Sequence, residues 1–156
     1  METVYIETSV VSYLVAQPSR DPVTAWRQRL TQEWWSEQRG QFACVISQEV
    51  ILEAMAGDAI MAGRRKAALA ELPVVSGGAE GLKLAADLMS HKLFPANARS
   101  DAIHLAIATR AEVDYVLTWN YRHLANAVVL HRVENFLRER KLSLPHVCTP
   151  EELMGE

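Results

Sequence analysis

A chain of 156 residues, 49% of them hydrophobic, is long enough for one globular domain over 1–156 with a sizeable core. Its net charge of −3 argues against a protein that coats nucleic acid by bulk attraction, while leaving room for an enzyme with a local basic rim. No apolar run reaches the roughly 18 residues a spanning helix needs, so no membrane partner is expected.

The first predicted element is a short buried strand, Val4–Ile6, and an apolar helix begins at Ser9. Glu7 stands at the seam, where a turn normally takes Gly, Asn or Asp. Glu2 and Glu7 also lie where an export signal would be basic, so a cytoplasmic protein is expected. Pro22–Gln38 reads as a longer helix, an insertion or hairpin arm, carrying Trp26, Trp34 and Trp35. Tryptophans spaced in this way read as packing or a dimer face rather than a base-stacking platform.

Phe42–Ile46 is the second strand, followed by a helix from Ser47 or Gln48 to Met55. Glu49 and Glu53 fall one turn apart on that helix. A basic helix from about Ala59 to Leu72 carries Arg64, Arg65 and Lys66, which read as a solvated face. Pro73–Val75 is a third strand, and SGGAEG is a strand-to-helix turn into a helix over Ala79–Lys92. After the break at Pro95 and Asn97, Ser100 is expected to cap the next helix, with Asp101 in its first turn. His104 lies on the apolar body of that helix and reads as a hydrogen-bonded core histidine, or one supporting a neighbouring ligand, rather than a zinc ligand.

Tyr115–Thr118 is the fourth strand, and Asn120 follows it in TWN. An amphipathic helix over Val128–Lys141 leads to a weak last strand, His146–Cys148. Thr149, Pro150 and Glu152 form a capping box with Pro at the first helical position. Cys44 and Cys148 are far apart in apolar contexts and read as core thiols in a reducing cytosol.

Short unbroken strands alternating with helices predict a mainly parallel sheet of about five strands, covered on both faces. Ligands bind such sheets beyond the carboxyl ends of the strands. Glu7, Glu49, Glu53, Asp101 and Asn120 all fall near that predicted edge. Each alone has an ordinary structural reading as a cap, turn or surface residue. Together, converging carboxylates repel one another unless a cation lies between them, and oxygen ligands suit Mg²⁺ or Mn²⁺. A hard cation at such a point suits phosphodiester hydrolysis. No glycine-rich phosphate loop or nucleophile elbow competes with that reading.

Four ordered blocks resemble PIN-domain proteins. YIETSVVSYL is similar to their opening, where an acid ends the first strand; VISQEVILEAMAG to their second block, with its helical acid at Glu53; SDAIHLAIA to the third, with its acid at Asp101; and DYVLTWNYRHL to the fourth, which ends at Asn120. The closing TPEELMG is also similar to tails in that family. The resemblance implies a three-layer α/β/α domain acting as a Mg²⁺- or Mn²⁺-dependent ribonuclease, with VapC-type toxins of toxin–antitoxin pairs as the small single-domain members. It further implies an RNA substrate, an antitoxin protein partner and a homodimer. Carried over by position, Glu7, Glu53 and Asp101 would hold the metal, and Asn120 would assist through its side-chain oxygen or a bound water. Two positions depart from the pattern: Glu7 and Asn120 both stand where the family usually has Asp. A non-catalytic PIN-like module that binds RNA or protein is the alternative, and a metal-dependent phosphatase of small molecules is a third reading.

Overall fold

The computed structural model describes residues 1–155. The sheet is built from β1 (Thr3–Ile6), β2 (Ala43–Val45), β3 (Tyr115–Leu117) and β4 (His146–Cys148), in the order β2-β1-β3-β4. All pairings are parallel, with Tyr5 beside Val45 on one side and Val116 on the other. The helices among the described residues are α1 (Thr8–Val15), α2 (Pro22–Glu33), α3 (Gln48–Ala54), α4 (Ala59–Leu69), α5 (Gly78–Ser90), α6 (Arg99–Arg110) and α7 (Ala127–Glu139).

The sheet has four strands, and the expected third strand at Pro73–Val75 is reduced to one parallel bridge between Ile46 and Val74. Ile46 N–H donates to Pro73 O and Val75 N–H donates to Ile46 O, which closes that bridge. Pro73 has no N–H with which to carry the ladder backwards. Beyond Val75, Ser76 turns the chain by accepting from Gly78 N–H.

The bridge still fixes the topology, because it places Val74 outside β2. Chain direction across the sheet therefore reverses after Val74, and right-handed crossovers put α1–α4 on one face and α5–α7 on the other. Within each set the packing agrees, since α1 touches α2, α3 and α4 and α5 lies along α6, while α3 and α6 meet across the sets. Strands covered on both sides explain why Val4, Tyr5, Ile6, Val116 and Leu117 are fully buried.

Three local expectations are corrected. Pro22–Gln38 is not one α-helix: α2 ends at Glu33, and Trp34–Gln38 forms a π-helical turn. That turn coincides with Trp34, which is fully buried and donates its indole N–H to Leu153 O at 3.1 Å. Ser100 does not cap α6, which starts one residue before it; its hydroxyl donates to Glu49 instead. The Thr149–Glu152 capping box forms, with Thr149 N–H donating to Glu152, but a short turn follows it rather than a helix. Arg65, within the basic stretch, ties α4 to α3 by donating to the carbonyls of Ala54 and Ala56. Cys44 and Cys148 are buried free thiols. No helix among the described residues is long and apolar enough to cross a membrane.

Candidate metal centre

The parallel arrangement brings the residues following β1, β2 and β3 to one edge of the sheet, where chain direction reverses between β1 and β3. Glu7 is the first of them. It is 5% exposed, and its backbone N–H continues the ladder by donating to Leu117 O. Its length lets one carboxylate do two jobs. Oε2 caps α1 by accepting from Ser9 N–H at 3.0 Å, and Oε1 accepts the Ser9 and Thr118 hydroxyls at 2.5 and 2.6 Å. The sequence resemblance offered no reason for a glutamate here; this double engagement supplies one.

Glu53 approaches from α3. Its Oε1 accepts the Thr8 hydroxyl at 2.7 Å and also meets His104 Nε2 from α6 in a very short contact. His104 is fully buried, and its other nitrogen, Nδ1, lies 2.7 Å from the Tyr5 hydroxyl. Tyr5 in turn lies 2.6 Å from Ser47 Oγ, the N-cap of α3. With His104 neutral, its Nε2–H donates to Glu53, while Nδ1 accepts from Tyr5 O–H and the Tyr5 oxygen accepts from Ser47. This chain joins β1, α3 and α6 through the core.

The electrostatics follow from that chain. Burial works against a charged His104, but the bond to Glu53 and the negative charges of Glu7 and Glu53 carry its pKa above the ordinary value. Burial alone would raise Glu53, yet His104 and the Thr8 hydroxyl outweigh it and hold Glu53 low. Burial pushes the Tyr5 phenol far up, so it stays neutral.

Asp101 sits in the first turn of α6. Its Oδ1 accepts from Asn120 Nδ2 at 3.0 Å, and its Oδ2 lies 3.0 Å from His123 Nδ1. Burial raises its pKa, the Glu7 charge adds to the rise, and His123 only partly offsets it. Asn120 uses its side-chain oxygen to accept the backbone N–H groups of Arg122 and His123, so its amide nitrogen is the part that faces Asp101. Glu49 accepts the Ser100 hydroxyl at 2.6 Å, and its charge also acts on His104.

Among the described residues, Glu7, Glu53 and His104 offer ligand atoms that all lie within 4.8 Å of one another. His104 already has both ring nitrogens engaged, which suits it to orient Glu53 rather than to bind an ion itself. Asp101 lies on α6 three residues before His104 and bonds Asn120, two residues after the Thr118 that bonds Glu7. Carboxylate oxygens crowded at a partly buried edge fit a hard divalent cation. An apolar cavity of about 330 Å³ is lined by residues including Ile51, Met55 and Val74, and by none of these acids.

His104 was expected in a supporting role, whereas the supporting hydroxyls, Tyr5 and His123 were not picked out from the sequence. Thr8 and Ser9 directly follow Glu7, and Thr118 ends β3; their positions beside acids were the available signal. His123 lies three residues after Asn120, and nothing local marks it.

No protein-family model matches the chain, and no curated protein matches it by sequence. Among solved structures it is similar to a chain of VapBC2 from Rickettsia felis, crystallised bound to a DNA fragment from their promoter. The two share 11% identity with a TM-score of 0.53, over 94% of this chain and 98% of that one. Likeness at this identity concerns the fold, and the α/β architecture with its parallel sheet is that of a PIN-like domain.

Proposed function

We propose that this chain is a Mg²⁺- or Mn²⁺-dependent ribonuclease that hydrolyses RNA phosphodiester bonds, acting as the toxin of a toxin–antitoxin pair. In this reading it is cytoplasmic, dimerises with a second copy, and is silenced by an antitoxin protein. The reading is supported by Glu7 and Glu53, grouped with His104 at the switch-point edge of the sheet, and by Asp101, which bonds Asn120 two residues after the Thr118 that bonds Glu7. The likeness to a VapBC2 chain supports the toxin assignment.

Glu7, Glu53 and Asp101 would hold the metal. When bound, such an ion supplies charge for a phosphoryl oxygen and lowers the pKa of water at the edge. His104 keeps the Glu53 carboxylate oriented, with Tyr5 and Ser47 fixing the ring from behind. Asn120 and His123 hold Asp101 from its two oxygens. Thr8, Ser9 and Thr118 supply hydroxyl bonds that keep Glu7 and Glu53 in place.

Cleavage of single-stranded RNA with and without Mn²⁺ tests the proposal. Wild-type protein is expected to cut only with metal. Glu53→Gln should abolish cutting, and Glu49→Gln should retain it, because Glu53 and not Glu49 is grouped with Glu7. Metal-independent cutting, or none by the folded wild-type chain on any RNA, would defeat the ribonuclease reading.

A further inference from the structure

The residues after β3 alternate in direction. Thr118 bonds Glu7 and Asn120 bonds Asp101, while Trp119 and Tyr121 between and beyond them turn toward α2. Trp119 is buried and donates its indole N–H to Thr31 at 2.7 Å. Trp26 packs edge-on against it at 6.2 Å, and Tyr121 is tilted against it at 6.3 Å. Unlike Trp119, these two rings reach solvent, at 38% and 43% exposure.

Arg27 sits over this cluster. Its guanidinium lies 5.0 Å from the Tyr121 ring centre and 5.8 Å from that of Trp119. It makes no ion pair among the described residues, its Nε is buried without a hydrogen-bond partner, and NH1 reaches only the Tyr13 hydroxyl at 3.5 Å. Asp21 feels its charge without pairing with it, and a cation held on aromatic faces with donor capacity left over is arranged for an external anion. Trp119 and Tyr121 alternate along the chain with the residues that bond Glu7 and Asp101; those acids would repel an RNA backbone, so a cation on these rings answers a need of the site.

We propose that Arg27 and Tyr121, with Trp26 at the rim, form a nucleotide subsite beside the acidic edge. Arg27 holds a phosphate of single-stranded RNA neighbouring the one to be cut, and the Tyr121 ring stacks on a base. This inference rests on the ribonuclease reading of the edge. Stacking on such rings tolerates any base, so the subsite confers grip on unpaired RNA rather than sequence preference.

The test is fluorescence anisotropy with a labelled single-stranded oligoribonucleotide of about ten nucleotides, a length within the span single-strand binding folds cover. Binding is measured in Ca²⁺, a hard cation for oxygen ligands, across a KCl series. Tyr121→Ala is expected to weaken binding about tenfold and leave the salt slope unchanged. Arg27→Gln should weaken binding and reduce the slope of log K against log salt by about 0.7, the signature of one lost phosphate contact. Tyr121→Phe should bind as wild type does, since it keeps the ring. Thermal melts show which variants are folded, and exposed Tyr121 gives a variant whose fold does not depend on Arg27. Wild-type binding with unchanged affinity and slope in folded Tyr121→Ala and Arg27→Gln would overturn the subsite and leave the nuclease reading standing. A wild-type chain that binds no RNA would remove both.

Discussion

Tyr5→Phe removes one oxygen from the centre of the molecule and changes almost nothing else. The hydroxyl lies 2.6 Å from Ser47 Oγ and 2.7 Å from His104 Nδ1, and all three residues are fully buried. Ser47 retains a weak contact from Val50 N–H at 3.4 Å, but His104 Nδ1 has no other partner. Stranding one buried polar group costs about 1–3 kcal/mol, so a loss of about 2 kcal/mol is expected. For a chain of this length that corresponds to a fall in Tm of roughly 4–8 °C. Urea titrations monitored by tryptophan fluorescence measure it, and the slope m should be unchanged because the folded and unfolded surfaces hardly differ. Tyr13→Phe is the control. Its hydroxyl has only the long contact to Arg27, so a change within about 0.5 kcal/mol is expected. A Tyr5→Phe loss no larger than that of Tyr13→Phe would refute the hydrogen-bonded chain from Ser47 to Glu53.

Two further outcomes follow from the same geometry. Asn120→Asp places a carboxylate against Asp101 where an amide N–H now donates, so metal-free stability should fall by about 1–3 kcal/mol. Mn²⁺ should recover more stability in that variant than in wild type, and parallel melting curves across a Mn²⁺ titration would place position 120 outside the site. Burial pushes the Cys44 thiol up to about 11 and the Cys148 thiol up to about 12, so both should resist a thiol reagent at pH 8 in the native protein. Both should react when urea unfolds the chain; rapid native labelling would contradict their burial.

The strands were legible where they are apolar and unbroken, as in Val4–Ile6 and Tyr115–Leu117, because burial on both faces leaves no alternation to obscure them. Pro73–Val75 misled for the same reason. Its residues read as a strand, but Pro73 lacks the donor a ladder needs and only one bridge forms. Ser100 was misplaced because a serine before an acid suggests a cap, whereas the chain enters α6 directly from a 3-10 turn at Ala96–Ala98. The acids were visible through their positions after strands and in a helical first turn. Of what holds them, His104 was visible too, but the hydroxyls were not. Tyr5 looks like one more core residue, and its hydroxyl partners lie 42 and 99 residues away. No local pattern reports a bond of that span. Trp26, Trp34 and Trp35 also look equivalent in the sequence, yet Trp34 is core, Trp35 lies under Arg39, and Trp26 reaches solvent beside Trp119.

The central claim is that Glu7, Glu53 and Asp101 together hold a divalent cation, and thermal melts with Mn²⁺ address it directly. A ligand present at about a hundredfold excess over its Kd stabilises the native state by about 2.7 kcal/mol. For a chain of this size that is a rise in Tm of roughly 5–10 °C. Wild-type protein should show that rise, and Asp101→Asn, which removes charge while keeping shape, should lose most of it. A folded Asp101→Asn protein that gains as much from Mn²⁺ as wild type would contradict the claim.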